Sequence, residues 1–285
     1  MKSGIVFEGG ASRSLFSCGV MDALLEEKII ADYVIGTSAG IAYGTSYVSG
    51  QIGRNLELAV KYMHDKRYMG IKHLFNRKNR SYYNRDFAFG QIPKELVPYD
   101  FDAFDNFKGT AIATLTNMKS CTAEYFEIPK NNPERHIQIL WAGCALPFMF
   151  SPEEIDGEIY MDGGICDPIP FQKALDDGCE KLVVVLTRER DYKKEGSEAA
   201  SAAKIFYRRF PLLPKALKKR AVIYNESRRK IFELADKKEL IVIAPQCTKG
   251  FRRTEKNPEI LRALHNEGYN TTKQMIDNIK QYLSE

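Results

Sequence analysis

The chain has 285 residues, of which 44% are hydrophobic and 28% are charged, and its mean hydropathy is −0.36. This composition is typical of a soluble globular protein that can bury a sizeable core. The formal net charge of +5 is too small to indicate nucleic-acid binding without a local basic patch. No apolar run approaches the ~20 residues of a membrane span, and none near the start resembles a secretion signal. We therefore expect a cytoplasmic protein.

The cysteines predict neither a disulfide framework nor a zinc site. None belongs to a C-x-x-C pair, and no cysteine–histidine cluster has the spacing of zinc ligands. We expect free thiols in a reducing cytosol and no metal site. The cysteines are Cys18, Cys121, Cys144, Cys166, Cys179 and Cys247.

Strand and helix patterns alternate through the first part of the chain. A short apolar strand over residues 3–8 leads through a glycine-rich corner into a helix over residues 15–27. A second strand over residues 33–35 meets another glycine-rich corner and a further helix. This order, with short connections, predicts parallel strands joined by right-handed crossovers.

The rest of the chain continues the mixed α/β pattern. Residues 109–128 predict two strands around a turn, and residues 181–188 and 239–245 predict buried parallel strands. Helices are expected over residues 257–284, because Asn257 and Pro258 are typical first residues of a helix. No repeat or domain boundary is evident, so we expect a single domain over residues 1–285.

The second glycine-rich corner reads G-T-S-A-G over residues 36–40. A nucleophile on a strand-to-helix turn needs small neighbours such as Gly36 and Gly40, because other segments approach closely there. The helix that follows would direct its N-terminal N–H groups at Ser38. The pattern is short, so an incidental serine in a glycine-rich turn is the competing interpretation. The strand before it and the helix after it favour a nucleophile.

The first glycine-rich corner, G-G-A-S-R over residues 9–13, precedes the first predicted helix. Its backbone N–H groups could serve as donors to the oxyanion that forms during acyl transfer. If the first two strands are neighbours, this corner and Ser38 lie at the same carboxyl edge of the sheet, where ligands bind in open α/β sheets. A phosphate cradle for a nucleotide is the alternative, although the sequence fits neither G-x-G-x-x-G nor G-x-x-x-x-G-K-[ST].

A serine nucleophile needs a base, and Asp162 is the favoured candidate. It opens the tight D-G-G corner that follows a short strand, although such a corner alone would be interpreted as a turn. The order of an α/β-hydrolase triad would select His265, which lies in a polar helix where a surface position is expected. An esterase with a histidine base therefore stays an alternative. None of the four histidines lies in a motif that places it beside the serine: His64, His73, His136 and His265.

Taken in this order, the three corners resemble the patatin-like phospholipase family. Its pattern is a glycine-rich loop with a basic residue, then G-x-S-x-G, then D-G-[GA]. Residues 141–152 and 155–170 are also similar to the family's stretch around its catalytic aspartate. The resemblance extends over residues 5–187 and points to a bacterial, single-domain branch. It implies a three-layer α/β/α fold with a mainly parallel central sheet.

The resemblance also implies a carboxylic ester hydrolase that acts on lipid acyl esters and needs no cofactor. Phospholipase, lysophospholipase and esterase activities all fit this expectation. Ser38 would be the nucleophile and Asp162 the base of a Ser–Asp dyad. The oxyanion hole would use backbone N–H groups of the first corner and a basic residue that shapes or charges it: Gly9, Gly10, Ala11 and Arg13.

Ala11 and Ser14 depart from the family pattern G-G-G-x-[RK]-G. If Ala11 adopts a positive φ, its Cβ costs about 1 kcal/mol. Ser14 would either crowd the helix start or cap it. A non-catalytic lipid-binding or regulatory protein on the same fold is therefore the alternative. A dyad also needs a stronger base than an ordinary carboxylate, so we expect a raised pKa for Asp162.

Residues 204–230 interleave basic and apolar side chains. Pro211 and Pro214 predict two short helices around a corner. The segment could lie at the inner face of an anionic membrane, with Lys218, Lys219 and Arg220 toward the lipid. It could equally pack its apolar side on the core as a flap with a solvated basic face, and a lid would use the same residues.

Residues 75–85 combine basic and aromatic side chains. We expect a solvated loop or a part of the substrate entrance there, rather than a site for single-stranded nucleic acid. No nucleic-acid partner is expected.

Overall fold

The computed structural model describes residues 1–76, 80–196 and 199–285, so part of the basic and aromatic segment 75–85 lies outside the described residues. The strands of the described part form one sheet. They are β1 (Ser3–Phe7), β2 (Tyr33–Thr37), β3 (Thr110–Asn117), β4 (Ala123–Glu127), β5 (Glu153–Ile155), β6 (Glu158–Asp162), β7 (Lys181–Val185) and β8 (Ile241–Ile243). Strands β3, β2, β1, β7 and β8 lie side by side in this order and are parallel. Strands β4 and β6 pair with β3 in the antiparallel direction, and β5 pairs likewise with β6.

The helices flank this sheet and connect its strands. They are α1 (Leu15–Glu26), α2 (Ala39–Val48), α3 (Arg54–Tyr62), α4 (Phe101–Asp105), α5 (Pro133–Cys144), α6 (Phe171–Asp176), α7 (Ala199–Phe206), α8 (Leu213–Asp236) and α9 (Pro258–Ser284). A π-helix covers Asp86–Leu96, and short 3-10 turns cover Ala11–Ser14, Ile71–Phe75 and Gly163–Ile165. No described helix is both long enough and apolar enough to cross a membrane.

The core lies on both faces of the sheet. Because side chains alternate along a strand, Ile5 and Phe7 of β1 face one side, and Val6 faces the other. The first side packs against α1, α2, α3 and α9, and the second side packs against α6 and α8. The sequence prediction of a three-layer α/β/α fold with a mainly parallel sheet is confirmed.

Two strands that run toward each other share one edge of β3. Thr37 at the end of β2 pairs with Thr114, and Asp162 at the end of β6 pairs with the next residue, Leu115. Strand β4 occupies the opposite edge of the same stretch of β3. The C-terminal ends of β2 and β6 therefore meet, and this brings the residue after Thr37 to Asp162.

The last helix packs tightly across the first. A Cβ added to Gly19 of α1 would lie 1.9 Å from the backbone oxygen of His265 in α9, so only glycine permits this approach. Asp22 of α1 and His265 form a buried pair with 2.8 Å between Oδ2 and Nε2. The expected surface position of His265 is wrong, because the residue lies in this interface with 6% of its surface exposed.

The basic segment 204–230 turns a corner as predicted, between α7 and α8, but its second helix is long rather than short. Helix α8 has 24 residues, and its apolar side, which includes Leu217 and Tyr224, is buried. Arg220 does not lie on the solvated basic face. Its Nε donates a hydrogen bond of 2.5 Å to the backbone oxygen of Gly164, beside the third glycine-rich corner.

Candidate active site

Ser38 occupies the sharp turn between β2 and α2. Its backbone has φ 55° and ψ −133°, a strained conformation for a residue with a side chain. Such strain costs on the order of 1–3 kcal/mol and clusters at functional sites. The turn depends on its glycines, because a Cβ on Gly40 would lie 2.4 Å from the backbone oxygen of Phe7. Helix α2 begins directly after Ser38, so its N-terminal partial positive charge lies at the hydroxyl.

Asp162 lies at the end of β6 and is 1% exposed. Its Oδ1 accepts a 2.7 Å hydrogen bond from the N–H of Gly164. Within the described residues, Oδ2 is buried and accepts no hydrogen bond of standard geometry. Burial raises the pKa of Asp162, and interactions with the Ser38 hydroxyl and the Arg220 charge lower it by less. The net direction agrees with the raised pKa that the sequence analysis expected.

The first glycine-rich corner lies beside Ser38. Strands β1 and β2 are parallel neighbours, so the two corners share one carboxyl edge, as expected. A Cβ added to Gly9 would lie 3.0 Å from the Cβ of Ser38. No described residue accepts a hydrogen bond from the backbone N–H groups of Gly9, Gly10 or Ala11. These donors are therefore available to a ligand at the serine.

Ala11 and Ser14, the two residues that depart from the family pattern, both lie at this corner. Ala11 adopts φ 50°, so the condition for the cost of its Cβ, about 1 kcal/mol, is met. Ser14 is buried at the start of α1, but its hydroxyl makes no capping hydrogen bond and finds no partner among the described residues. Of the two roles considered for Ser14, capping of the helix is therefore not observed.

A cavity of about 490 Å³ opens on one side of Ser38. Most of its lining is apolar or aromatic, with Tyr43, Phe89, Leu140 and Phe150 among the contributors. His136 also lines it, and burial lowers the pKa of this histidine to about 4, so the ring is neutral at pH 7. Tyr82 and Tyr83, from the segment expected to form a loop or a part of the substrate entrance, also line this cavity.

A smaller cavity of about 40 Å³ lies on the other side of Ser38 and includes Asp162 and Arg13. Arg13 is 9% exposed, and the pKa of its guanidinium is lowered to about 10, first by burial and then by the charges of Arg188 and Arg253. The other basic residues of this cavity were not expected at the site, and Arg220 was expected at a membrane surface instead. They lie far apart in the chain: Arg188, Lys194, Arg220 and Arg253.

His265 lines neither of these two cavities, and its ring is committed to Asp22. The arrangement therefore offers no support for the alternative of an esterase with His265 as its base. No group of three or more described His, Cys, Asp or Glu residues is arranged to hold a metal ion.

Comparison with known proteins gives two family matches. The model described as patatin-like phospholipase matches residues 5–175, and the model described as a domain of unknown function (DUF6363) matches residues 210–284. A crystal structure of VipD from Legionella pneumophila is similar over 97% of this chain and 67% of VipD, with a TM-score of 0.57 and 14% identity. At that identity the likeness shows the fold alone.

Two relatives share part of their length with this chain. The uncharacterized protein YjjU of Escherichia coli (strain K12) is 26% identical over 189 residues, which cover 64% of this chain and 51% of YjjU. The lysophospholipase NTE1 of Candida glabrata is 24% identical over 190 residues, which cover 64% of this chain and 10% of NTE1. The similarity thus spans about half of YjjU and a small part of NTE1. Because the first family model matches more than half of the chain, the protein belongs to the patatin-like phospholipase family.

Proposed function

We propose that the chain is a serine-dependent lipid acyl hydrolase in which Ser38 is the nucleophile and Asp162 the base. The observation that carries the proposal is the meeting of a strained serine and a buried carboxyl at the ends of β2 and β6. A raised pKa supports Asp162 as the base, because a carboxylate of higher pKa accepts a proton more readily.

In the proposed reaction, Oγ of Ser38 attacks the ester carbonyl carbon while its proton moves to Oδ2 of Asp162. The N–H of Gly164 holds Oδ1, which leaves Oδ2 available for this proton. The N–H groups of residues 9–11 would stabilise the oxyanion. The bond from the carbonyl carbon to the alcohol oxygen then breaks, and the alcohol leaves with the proton from Asp162. Water next attacks the acyl-serine while Asp162 accepts its proton, and the fatty acid is released as that proton returns to Oγ of Ser38.

The large cavity supports a lipid as the acyl donor. Its volume of about 490 Å³ and its apolar, aromatic lining suit a hydrocarbon chain whose ester lies at Ser38. The name lysophospholipase, which NTE1 carries, agrees with this substrate class.

We also propose that residues 1–285 act as one domain in the cytoplasm. The close contact between α1 and α9, through Gly19 and the Asp22–His265 pair, supports a single unit.

Peripheral membrane contact through residues 204–230 is supported by the exposed Ile205 and Phe206, which are followed by the exposed Arg208 and Arg209.

The release of fatty acid from a lysophospholipid and from a monoacylglycerol tests the proposed activity. We expect Ser38→Ala to lower kcat by about 1000-fold or more. Ser284→Ala, which changes an exposed serine at the end of α9, is the matched control and should retain the wild-type rate. Hydrolysis that survives in Ser38→Ala would refute the proposal. A folded wild type that binds lipid without hydrolysing it would favour the non-catalytic alternative.

A further inference from the structure

The small cavity beside Ser38 is strongly basic. Its charged lining in the described part of the chain consists of two carboxylates, Glu8 and Asp162, and five cationic side chains: Arg13, Arg188, Lys194, Arg220 and Arg253. None of the five cations forms an ion pair with a described carboxylate. The cavity therefore carries an excess of positive charge.

Hydrogen bonds hold the guanidinium groups of Arg220 and Arg188, and the backbone of Lys194, in place. Arg220 is anchored by Gly164, as described above. Nη1 of Arg188 donates to Oγ1 of Thr248 at 2.6 Å. The backbone of Lys194 is fixed by Asn225, which accepts from its N–H at 2.8 Å and donates to its carbonyl oxygen at 2.9 Å. Such preorganisation is what a binding site for a compact anion needs.

The two acidic neighbours, Glu8 and Asp162, offset only part of the positive charge of the five basic side chains. Glu8 accepts hydrogen bonds from the N–H of Thr187 at 2.6 Å and from the hydroxyl of Tyr224 at 2.7 Å. Nε of Arg13 is buried and has no hydrogen-bond partner in the described part of the chain. A buried donor of this kind is costly unless a ligand satisfies it.

The mutual repulsion of the cations contributes to the lowered pKa values of Lys194 and Arg13. The pKa of Lys194 is lowered to about 7, first by burial and then by the charges of Arg220 and Arg253, with a smaller contribution from Arg13, while Glu8 acts in the opposite direction. An anion bound among these groups would offset the repulsion between the cations and so raise the pKa of Lys194.

The two cavities meet at the serine. Both are lined by Ala11, Ser38, Leu146 and Arg253. An ester at Ser38 would therefore direct its acyl chain into the large apolar cavity and its alcohol side into the small basic cavity.

We propose that the basic cavity binds a phosphate group on the alcohol side of the substrate and thereby selects lipid esters with an uncompensated phosphate. The inference rests on the proposed hydrolase function. Arginine guanidinium groups bind phosphate oxygens in a bidentate manner, and a cavity of about 40 Å³ suits one compact group. The described lining sets five basic side chains against two carboxylates, and this excess of positive charge disfavours a quaternary ammonium group such as choline.

The test compares kcat/KM for lysophosphatidic acid, lysophosphatidylcholine and monoacylglycerol with the same acyl chain. We expect the wild type to prefer lysophosphatidic acid by about 10-fold or more, and Lys194→Met to remove most of that preference. Lys193→Met is the matched control, because this neighbour is exposed, and its preference should equal that of the wild type. Arg188→Gln provides a second variant if Lys194→Met does not fold. Equal preferences in the wild type and both variants would overturn the proposal.

Calorimetric titration separates this site from the hydrolase function. We expect glycerol 3-phosphate to bind the wild type and to bind Lys194→Met about 10-fold more weakly, whereas glycerol binds neither. Binding of glycerol 3-phosphate without ester hydrolysis would uphold the anion site and refute the proposed activity. Inorganic phosphate that binds more tightly than glycerol 3-phosphate would overturn the assignment to a lipid headgroup. No binding of either anion would overturn the site itself.

Discussion

Ser38 and Asp162 meet because their strands end at consecutive residues of β3. Thr37, which precedes Ser38, pairs with Thr114, and Asp162 pairs with Leu115. The sheet, rather than a flexible loop, therefore fixes the separation of the two side chains. Rigid elements hold catalytic groups more accurately than loops do, and this register is consistent with a dyad that needs no third residue.

The raised pKa of Asp162 predicts a pH-dependent activity. Asp162, as the proposed base, must be ionised to accept a proton, so kcat/KM should fall as the pH decreases through a value above the usual ~4 of an aspartate. The pH–rate profile of the wild type with a neutral monoacylglycerol measures this acid limb. A profile that stays flat as the pH falls to the usual ~4 of an aspartate would contradict the raised pKa.

Asp162→Asn should lose activity and keep or gain stability. A carboxyl whose pKa is higher in the folded state binds more protons there, so the free energy of unfolding decreases as the pH rises through the interval between the two pKa values. Asparagine removes this cost and can still accept the N–H of Gly164. We expect kcat to fall by about 1000-fold or more and the melting temperature at pH 7 to equal or exceed that of the wild type. A lower melting temperature would contradict the cost of the buried charge.

Ala11→Gly restores the family pattern at the first corner. Glycine should relieve about 1 kcal/mol of strain at φ 50°, but it also increases the entropy of the unfolded chain by a similar amount. We expect a change in the free energy of unfolding below about 1 kcal/mol, and activity within a few-fold of wild type, because the donors are backbone N–H groups. Urea unfolding and ester hydrolysis measure the two effects. A gain of more than about 100-fold in activity would mean that Ala11 distorts the oxyanion hole.

His265→Gln separates structure from catalysis. Loss of the ring disturbs the buried carboxylate of Asp22, so we expect the free energy of unfolding to fall by about 1–3 kcal/mol. The activity per folded molecule should stay at the wild-type level, because His265 lines neither cavity at Ser38. Loss of activity in a folded variant would favour the alternative in which His265 is the base of a catalytic triad.

Peripheral membrane contact predicts a loss of vesicle binding when Ile205 and Phe206 are both changed to Ser. These side chains are 62% and 74% exposed. We expect about 10-fold weaker flotation with vesicles that contain anionic lipid. Ile52→Ser, which changes another exposed apolar residue beyond the far end of α2, is the control. Unchanged flotation of the double variant would contradict the membrane contact.

Local sequence patterns predicted the strand-to-helix turn at Ser38 and the corner at residues 9–13, because both depend on glycines close in sequence. That both corners lie at one edge depended on the condition that β1 and β2 are neighbours, and they pair in parallel. The basic cavity could not be predicted, because it joins Arg13 to residues from distant segments, among them Lys194 and Arg253. His265 was misjudged for the same reason, since its partner Asp22 lies in the first helix.

Fluorophosphonate labelling of the wild type beside Ser38→Ala and Asp162→Asn tests the dyad most directly. The probe reacts with an activated serine and does not depend on the headgroup. If Ser38 and Asp162 form the dyad, we expect the wild type to be labelled, Ser38→Ala not to be labelled, and labelling of Asp162→Asn to fall sharply. A well-folded wild type that is not labelled, or equal labelling of all three proteins, would contradict the dyad.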